Sequence, residues 1–301
     1  SSTPLSDVVR LSDTAGKLYG RSQELGLLED ALKRVLPEER NQDDTTAASS
    51  SIKHEIVLVS GESGAGKSTL VRTFRDGVRE KNGESAFFVE GKFDQNQETA
   101  RPYSAIADAV TQLCHLIKES DYFEEIREAI KTTLSEEISI LLDLIPAMEV
   151  ITKELGLKNE QTERASSSFA FKLFMSTFRS FLKVICRAHP LVIFLDDLQW
   201  ADEASRRLIS AITCDTSITN FFFIGAFRDD EIDSSSILSW VGKPSETGLE
   251  VVNILVGPLD SASVNKMVAD LTERRTESTK ELSELVGRKT GRNAYFLAQY
   301  M

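Results

Sequence analysis

Eight consecutive residues, Gly61-Glu62-Ser63-Gly64-Ala65-Gly66-Lys67-Ser68, match the pattern G-x-x-x-x-G-K-[ST] at every fixed position. The chemistry that this spacing serves is phosphate binding. Glycines let the backbone wrap an anion with its N–H groups turned inward, and a helix that starts inside the motif offers its positive dipole end to the same charge. Lys67 is placed to reach the β- and γ-phosphates of a nucleotide and Ser68 to ligate Mg²⁺, with Thr69 next in the same turn. A metal held this way needs a second anchor. Leu191-Val192-Ile193-Phe194-Leu195-Asp196-Asp197 supplies it as an apolar run ending in two acids. Asp196 is the Walker B residue, binding Mg²⁺ directly or through water. Asp197 stands where many ATPases carry a glutamate that polarises the attacking water. Aspartate reaches one methylene less far, so slow hydrolysis is expected. Arg228, in Phe227-Arg228-Asp229-Asp230, closes another apolar run, where a guanidinium is placed to sense the γ-phosphate or support its developing charge. The competing reading is a surface arginine paired with Asp229 or Asp230.

These residues need a scaffold, and the hydropathy pattern describes one. Apolar runs at Ile56–Ser60, Ala86–Glu90, Leu191–Asp196, Phe221–Ala226 and Val251–Val256 read as strands. Most are continuously apolar, as strands covered on both faces are. Helical periodicity alternates with them, at Gln23–Leu36, Tyr103–Lys118, Ser168–Arg187 and Asp202–Ile212, which implies a parallel α/β sheet. The phenylalanine stripe Phe171, Phe174, Phe178 and Phe181 is assigned to packing against that sheet. One strand intervenes along the chain between the glycine-rich motif and the paired acids, and this disfavours the simple nucleotide kinases. The expected fold is therefore α/β, a P-loop NTPase with a five-stranded parallel sheet, a helical insertion at 118–167 and a small all-α lid at 257–301. The core spans 54–256. Residues 1–53 form an N-terminal segment, with a helix and a solvated connection over Glu38–Ser51 that has no large apolar residue.

Composition narrows the partners. Of 301 residues, 47 are acidic and 35 basic, giving −12 at neutral pH. That balance argues against broad binding to nucleic acid or anionic lipid, which needs a basic face. No apolar run approaches the length of a membrane span. Residues 118–164 carry twelve acids against six bases, half of the net charge, which marks the insertion as a surface for a protein partner. Three scattered cysteines and three scattered histidines form no zinc pattern. Reduced thiols point to an intracellular, cytoplasmic setting. The apolar pattern is still running at Met301, as expected of a domain from a longer protein.

Beyond the phosphate motifs, several strings carry a resemblance. They are Leu18-Tyr19-Gly20-Arg21-Ser22-Gln23-Glu24-Leu25, Gly91-Lys92-Phe93-Asp94-Gln95, Asp196-Asp197-Leu198-Gln199-Trp200-Ala201-Asp202 and Val256-Gly257-Pro258-Leu259. Together they resemble the AAA-type ATPase module of the signal-transduction (STAND) NTPases, found in multidomain histidine kinases, large transcriptional activators and soluble adenylyl cyclases. The resemblance implies that Gly20 and Arg21 lie near the adenine, that Arg228 is sensor 1, and that Pro258 packs on the base at the lid entrance. The Gly91–Gln95 motif is typical of the histidine-kinase and cyclase branch. Thr290-Gly291-Arg292-Asn293-Ala294-Tyr295-Phe296 departs from the related pattern Gly-Gly-Asn-Pro-Phe-Phe, and Arg292 is read as a surface side chain. Trp200 is read as a packing anchor, and Arg206 and Arg207 as exposed candidates for a finger in trans.

The function expected from these features is Mg·ATP binding with slow hydrolysis, used as a conformational switch in a multidomain regulatory protein. Two alternatives accompany it: an origin-recognition-like DNA-associated ATPase, and a nucleotide-binding scaffold without turnover. Nucleotide and the other domains of a longer chain are the expected partners.

Overall fold

The computed structural model describes residues 17–36, 54–82, 85–95, 102–152, 167–242 and 249–301. The Glu38–Ser51 connection and the end of the expected insertion lie outside them. Helix α1 (Ser22–Val35) precedes β1 (His54–Ser60), which runs through the glycine-rich motif into α2 (Lys67–Asn82). Next come β2 (Phe87–Lys92), α3 (Ser104–Glu119) and the helices of the insertion, α4 (Phe123–Leu134), α5 (Ser139–Leu144) and α6 (Glu149–Thr152). The long α7 (Ser167–Ala188) leads into β3 (Leu191–Asp196), α8 (Glu203–Thr213), β4 (Phe221–Phe227), α9 (Ser234–Leu238) and β5 (Val251–Leu255). Three helices finish the chain: α10 (Ser261–Thr272), α11 (Lys280–Lys289) and α12 (Ala294–Tyr300).

The five strands form one sheet in the order β2-β3-β4-β1-β5, with every neighbouring pair parallel. Thus β4 lies between the strand that feeds the phosphate motif and the strand that ends in the paired acids. The continuous apolar runs have a direct cause, because successive side chains enter opposite cores. Ile193, Phe221 and Phe223 pack on the side of α3 and α7, whereas Val192, Phe222 and Ile224 pack on the side of α1 and α2. Phe174, Phe178 and Phe181 of α7 are buried in the first of these cores, which gives the phenylalanine stripe its assigned role. The insertion joins the same core through Ile126, Ile130 and Leu134 on α4 and Leu141 on α5. A third, smaller cluster ties Tyr19 to Leu259, Val264, Met267, Val286 and Leu297 of the C-terminal helices.

The outer edge of β2 is closed by a side chain. The Gln112 amide on α3 donates to the carbonyl of Glu90 at 2.7 Å and accepts from its N–H at 3.1 Å.

Candidate functional site

All five strands point their carboxyl ends the same way, and the first four in chain order, with Lys92 from β2, place polar groups of one cavity. Its volume is about 660 Å³. From β1 and its turn come Ser63 through Thr69, from β3 Asp196 and Asp197, and from the end of β4 Arg228. The opposite wall is mainly apolar and comes from two distant segments, Leu18 and Tyr19 before α1, and Leu259, Met267, Leu271 and Ala294 at the C-terminal helices, with Lys17, Arg21 and Gln299 as its polar members. One end is thus built for an anion and the other for a flat apolar body.

At the anionic end, the Lys67 ammonium is 7% exposed and donates to the carbonyls of Gly61 at 2.6 Å and Glu62 at 2.9 Å. Burial pulls its pKa below the ordinary lysine range, against the pull of Asp196 and Asp197. Ser68 Oγ donates to Asp196 Oδ2 at 2.6 Å, so two oxygen donors meet, one from the first turn of α2 and one from the end of β3. Burial raises the Asp196 carboxyl, opposed by that hydrogen bond. Hard oxygen donors in this number suit Mg²⁺, which keeps several of its waters.

Asp197 is held on three sides. Lys92 Nζ lies 3.1 Å from Oδ2, while the Gln199 amide donates to Oδ1 at 3.0 Å and Arg228 Nε lies 3.5 Å from that same oxygen. Its backbone is left-handed, with φ 58°. Such a conformation costs a non-glycine residue about 1–3 kcal/mol and persists only where surrounding bonds over-determine it. The three partners, together with the Asp197 N–H donated to Asp196 Oδ1, do that here.

Not every predicted residue faces the cavity. Gly61, Glu62 and Pro258 line a smaller adjoining hollow of about 190 Å³, and Leu259, one position on, takes the wall place expected of Pro258. Gly20 packs on the start of α10, where a Cβ would lie 2.1 Å from Ser263 Oγ. Arg21 lines the cavity, but its guanidinium is turned to the carbonyl of Gly257 and to Glu24, clamping the N-terminal segment to the entrance of the C-terminal helices. Arg292 is exposed, as read from the sequence. Its neighbour Asn293 is the consequential residue. It donates to the carbonyl of Ser63 at 2.8 Å and caps α12, and Tyr295 N–H donates to the carbonyl of Gly64 at 3.1 Å. At Gly64, with φ +78°, a Cβ would fall within 2.7–2.8 Å of Tyr295 and Asn293, so the close approach of these helices needs glycine.

Sequence reasoning missed Lys92, Gln199 and Asn293. Each sat in a string noted for resemblance, but only the fold brings them to the cavity. The expectation for Arg206 is corrected: it is half-buried with its guanidinium 5.9 Å from the Trp240 ring, because α8 turns that side inward. Arg207 is exposed and paired with Glu203 at 2.9 Å.

A parallel sheet in which the glycine-rich loop and an acid-tipped strand one place beyond its neighbour meet over one cavity defines a P-loop NTPase fold. A family model described as the AAA ATPase domain matches residues 43–224, more than half of the chain, and the chain belongs to that family. It is 32% identical over 213 residues to hybrid signal transduction histidine kinase G of Dictyostelium discoideum, covering 68% of this chain and 5% of that protein. It is also 29% identical over 171 residues to histidine protein kinase 1 of Candida albicans, covering 52% and 7%. The matched segments are thus a small fraction of the length of these relatives. Their identity agrees with the histidine-kinase branch named from the motifs. Among solved structures, a Walker-type ATPase of Pyrococcus abyssi aligns with a TM-score of 0.49 at 14% identity, covering 93% of this chain and 66% of that one. Among the described residues no helix is long and apolar enough to cross a membrane.

Proposed function

We propose that this domain binds Mg·ATP, hydrolyses it slowly, and uses the bound nucleotide as a conformational switch within a longer signalling or regulatory protein. One observation carries the reading: a single cavity is walled by the phosphate motifs on one side and by the N-terminal segment and C-terminal helices on the other. A nucleotide filling it would touch both, and its occupancy would bias their relative position.

Each residue then has a role. Lys67 exchanges its two carbonyl partners for phosphate oxygens. Ser68 and Asp196 hold Mg²⁺, which neutralises charge on the phosphates when bound. Asp197 orients the attacking water, and Arg228 lies within reach of the charge that develops on the transferred group. Asn293 and Tyr295 bond carbonyls of the phosphate loop, so a change in that loop reaches α12 directly. The matched stretches make up only 5% and 7% of these relatives, so both are many times longer than this chain, which supports other domains of the same chain as the partners of the switch. The acidic insertion remains the surface proposed for a protein partner.

Calorimetric titration of wild type and Lys67→Ala with Mg·ATP tests the assignment. Equal affinity in the two proteins rules out this cavity as the nucleotide site.

A further inference from the structure

Arg228 lines the cavity, yet its guanidinium is also engaged by two residues that do not. It lies 4.6 Å over the Trp200 ring, and Nη1 contacts Glu231 Oε1 at 2.7 Å. The other carboxylate oxygen of Glu231 accepts from Trp200 Nε1 at 2.9 Å. One carboxylate thus pins both the cation and the ring beneath it, and neither Trp200 nor Glu231 lines the cavity. The bond to Asp197, at 3.5 Å, is the longest of the set. Gln199 fixes the distance between the two halves, accepting from the Arg228 N–H at 3.2 Å while donating to Asp197.

We propose that Trp200 and Glu231 are positioning residues that park the Arg228 guanidinium beside the γ-phosphate position, and that a nucleoside triphosphate, but not a diphosphate, draws it off Glu231. The inference rests on the nucleotide reading above and adds to it how the third phosphate is told from the second. An anion at the γ-position competes with one partly exposed carboxylate for one guanidinium, and a cation over an indole face is a mobile but directed contact. A diphosphate presents no anion there, so the parked arrangement persists. Trp200 then does more than pack: its ring gains or loses a cation with the state of the ligand.

The chain has two tryptophans, so Trp240→Phe leaves Trp200 as the sole reporter. Emission is followed during titration with Mg²⁺ and either β,γ-imido-ATP or ADP, with affinities measured in parallel by calorimetry. The triphosphate is expected to change Trp200 emission and ADP to leave it unchanged although bound, and Arg228→Ala is expected to abolish the response. Glu231→Gln is expected to raise the ratio of triphosphate to diphosphate affinity about twofold to fivefold, the scale of one partly exposed ion pair. Identical emission for the two bound nucleotides, or equal change of both affinities in Glu231→Gln, overturns the proposal. Should Trp240→Phe lose its circular dichroism spectrum, the same signal is read as the difference between wild type and Trp200→Phe. If wild type binds neither nucleotide, the nucleotide reading itself fails; binding with an unaltered ratio sinks only the parking of Arg228.

Discussion

The two walls of the cavity are made by opposite strategies. The phosphate side gathers charged and hydroxyl groups at the ends of four strands that are neighbours in one sheet, and each group is fixed by at least one hydrogen bond or ion pair. The base side gathers apolar side chains from two segments more than 200 residues apart and holds them with the smallest of the three clusters. A sheet with both faces covered opens only with the whole fold, whereas a small satellite cluster opens locally. On the switch reading proposed above, chemistry would be anchored on the wall built from the buried sheet, and movement would fall to the wall held by the small cluster.

Four changes would break or sharpen this contrast. Asp197→Asn is expected to slow phosphate release in a single turnover about 10²- to 10⁴-fold while ATP affinity stays within about threefold, since it removes one water-orienting oxygen and little binding. Lys67→Ala should weaken ATP about 10- to 150-fold in calorimetry, the range for losing hydrogen bonds to a charged group. On the other wall, Met267→Ala is expected to weaken ATP and ADP by the same factor, less than about tenfold, because it removes apolar contact alone. A preference for one nucleotide in that variant would contradict the division of labour. The smallest effect is expected of Asn293→Ala. Loss of the α12 cap costs about 0.5–2 kcal/mol, read as faster limited proteolysis within the C-terminal helices with an unchanged melting transition of the sheet.

The same division explains what was legible in the sequence. The phosphate wall is written in contiguous motifs, so the positions of Lys67, Ser68 and Asp196 follow from spacing, and that of Arg228 from its place at a strand end. The apolar runs give all five strands to within two residues at either end, most plainly β3 and β4, whose burial on both faces leaves no other pattern. The base wall has no contiguous signature. Leu259 was overlooked in favour of Pro258 because both orientations of that turn fit the same string. Asn293 was hidden beside the more conspicuous Arg292, although an asparagine at a helix start is a capping signal that was available to be read. Lys92 ends an edge strand as an ordinary solvated cation would. Only the register of β2 on β3, which sets Lys92 opposite Asp196, brings it to Asp197. The half-burial of Arg206 was invisible for a related reason, since Trp240 lies on another helix-rich segment and pairwise contacts of that kind leave no periodicity.

The Gln112 clamp on Glu90 has a consequence for the life of such a domain inside a long polypeptide. An uncovered edge strand is a template on which another extended chain can add itself, and β2 is an edge. With both outward backbone groups of Glu90 already occupied by a side-chain amide, an incoming strand would have to break two bonds before making its own. The molecule thereby carries its own guard against runaway self-assembly at the edge that ends beside Asp196 and Asp197.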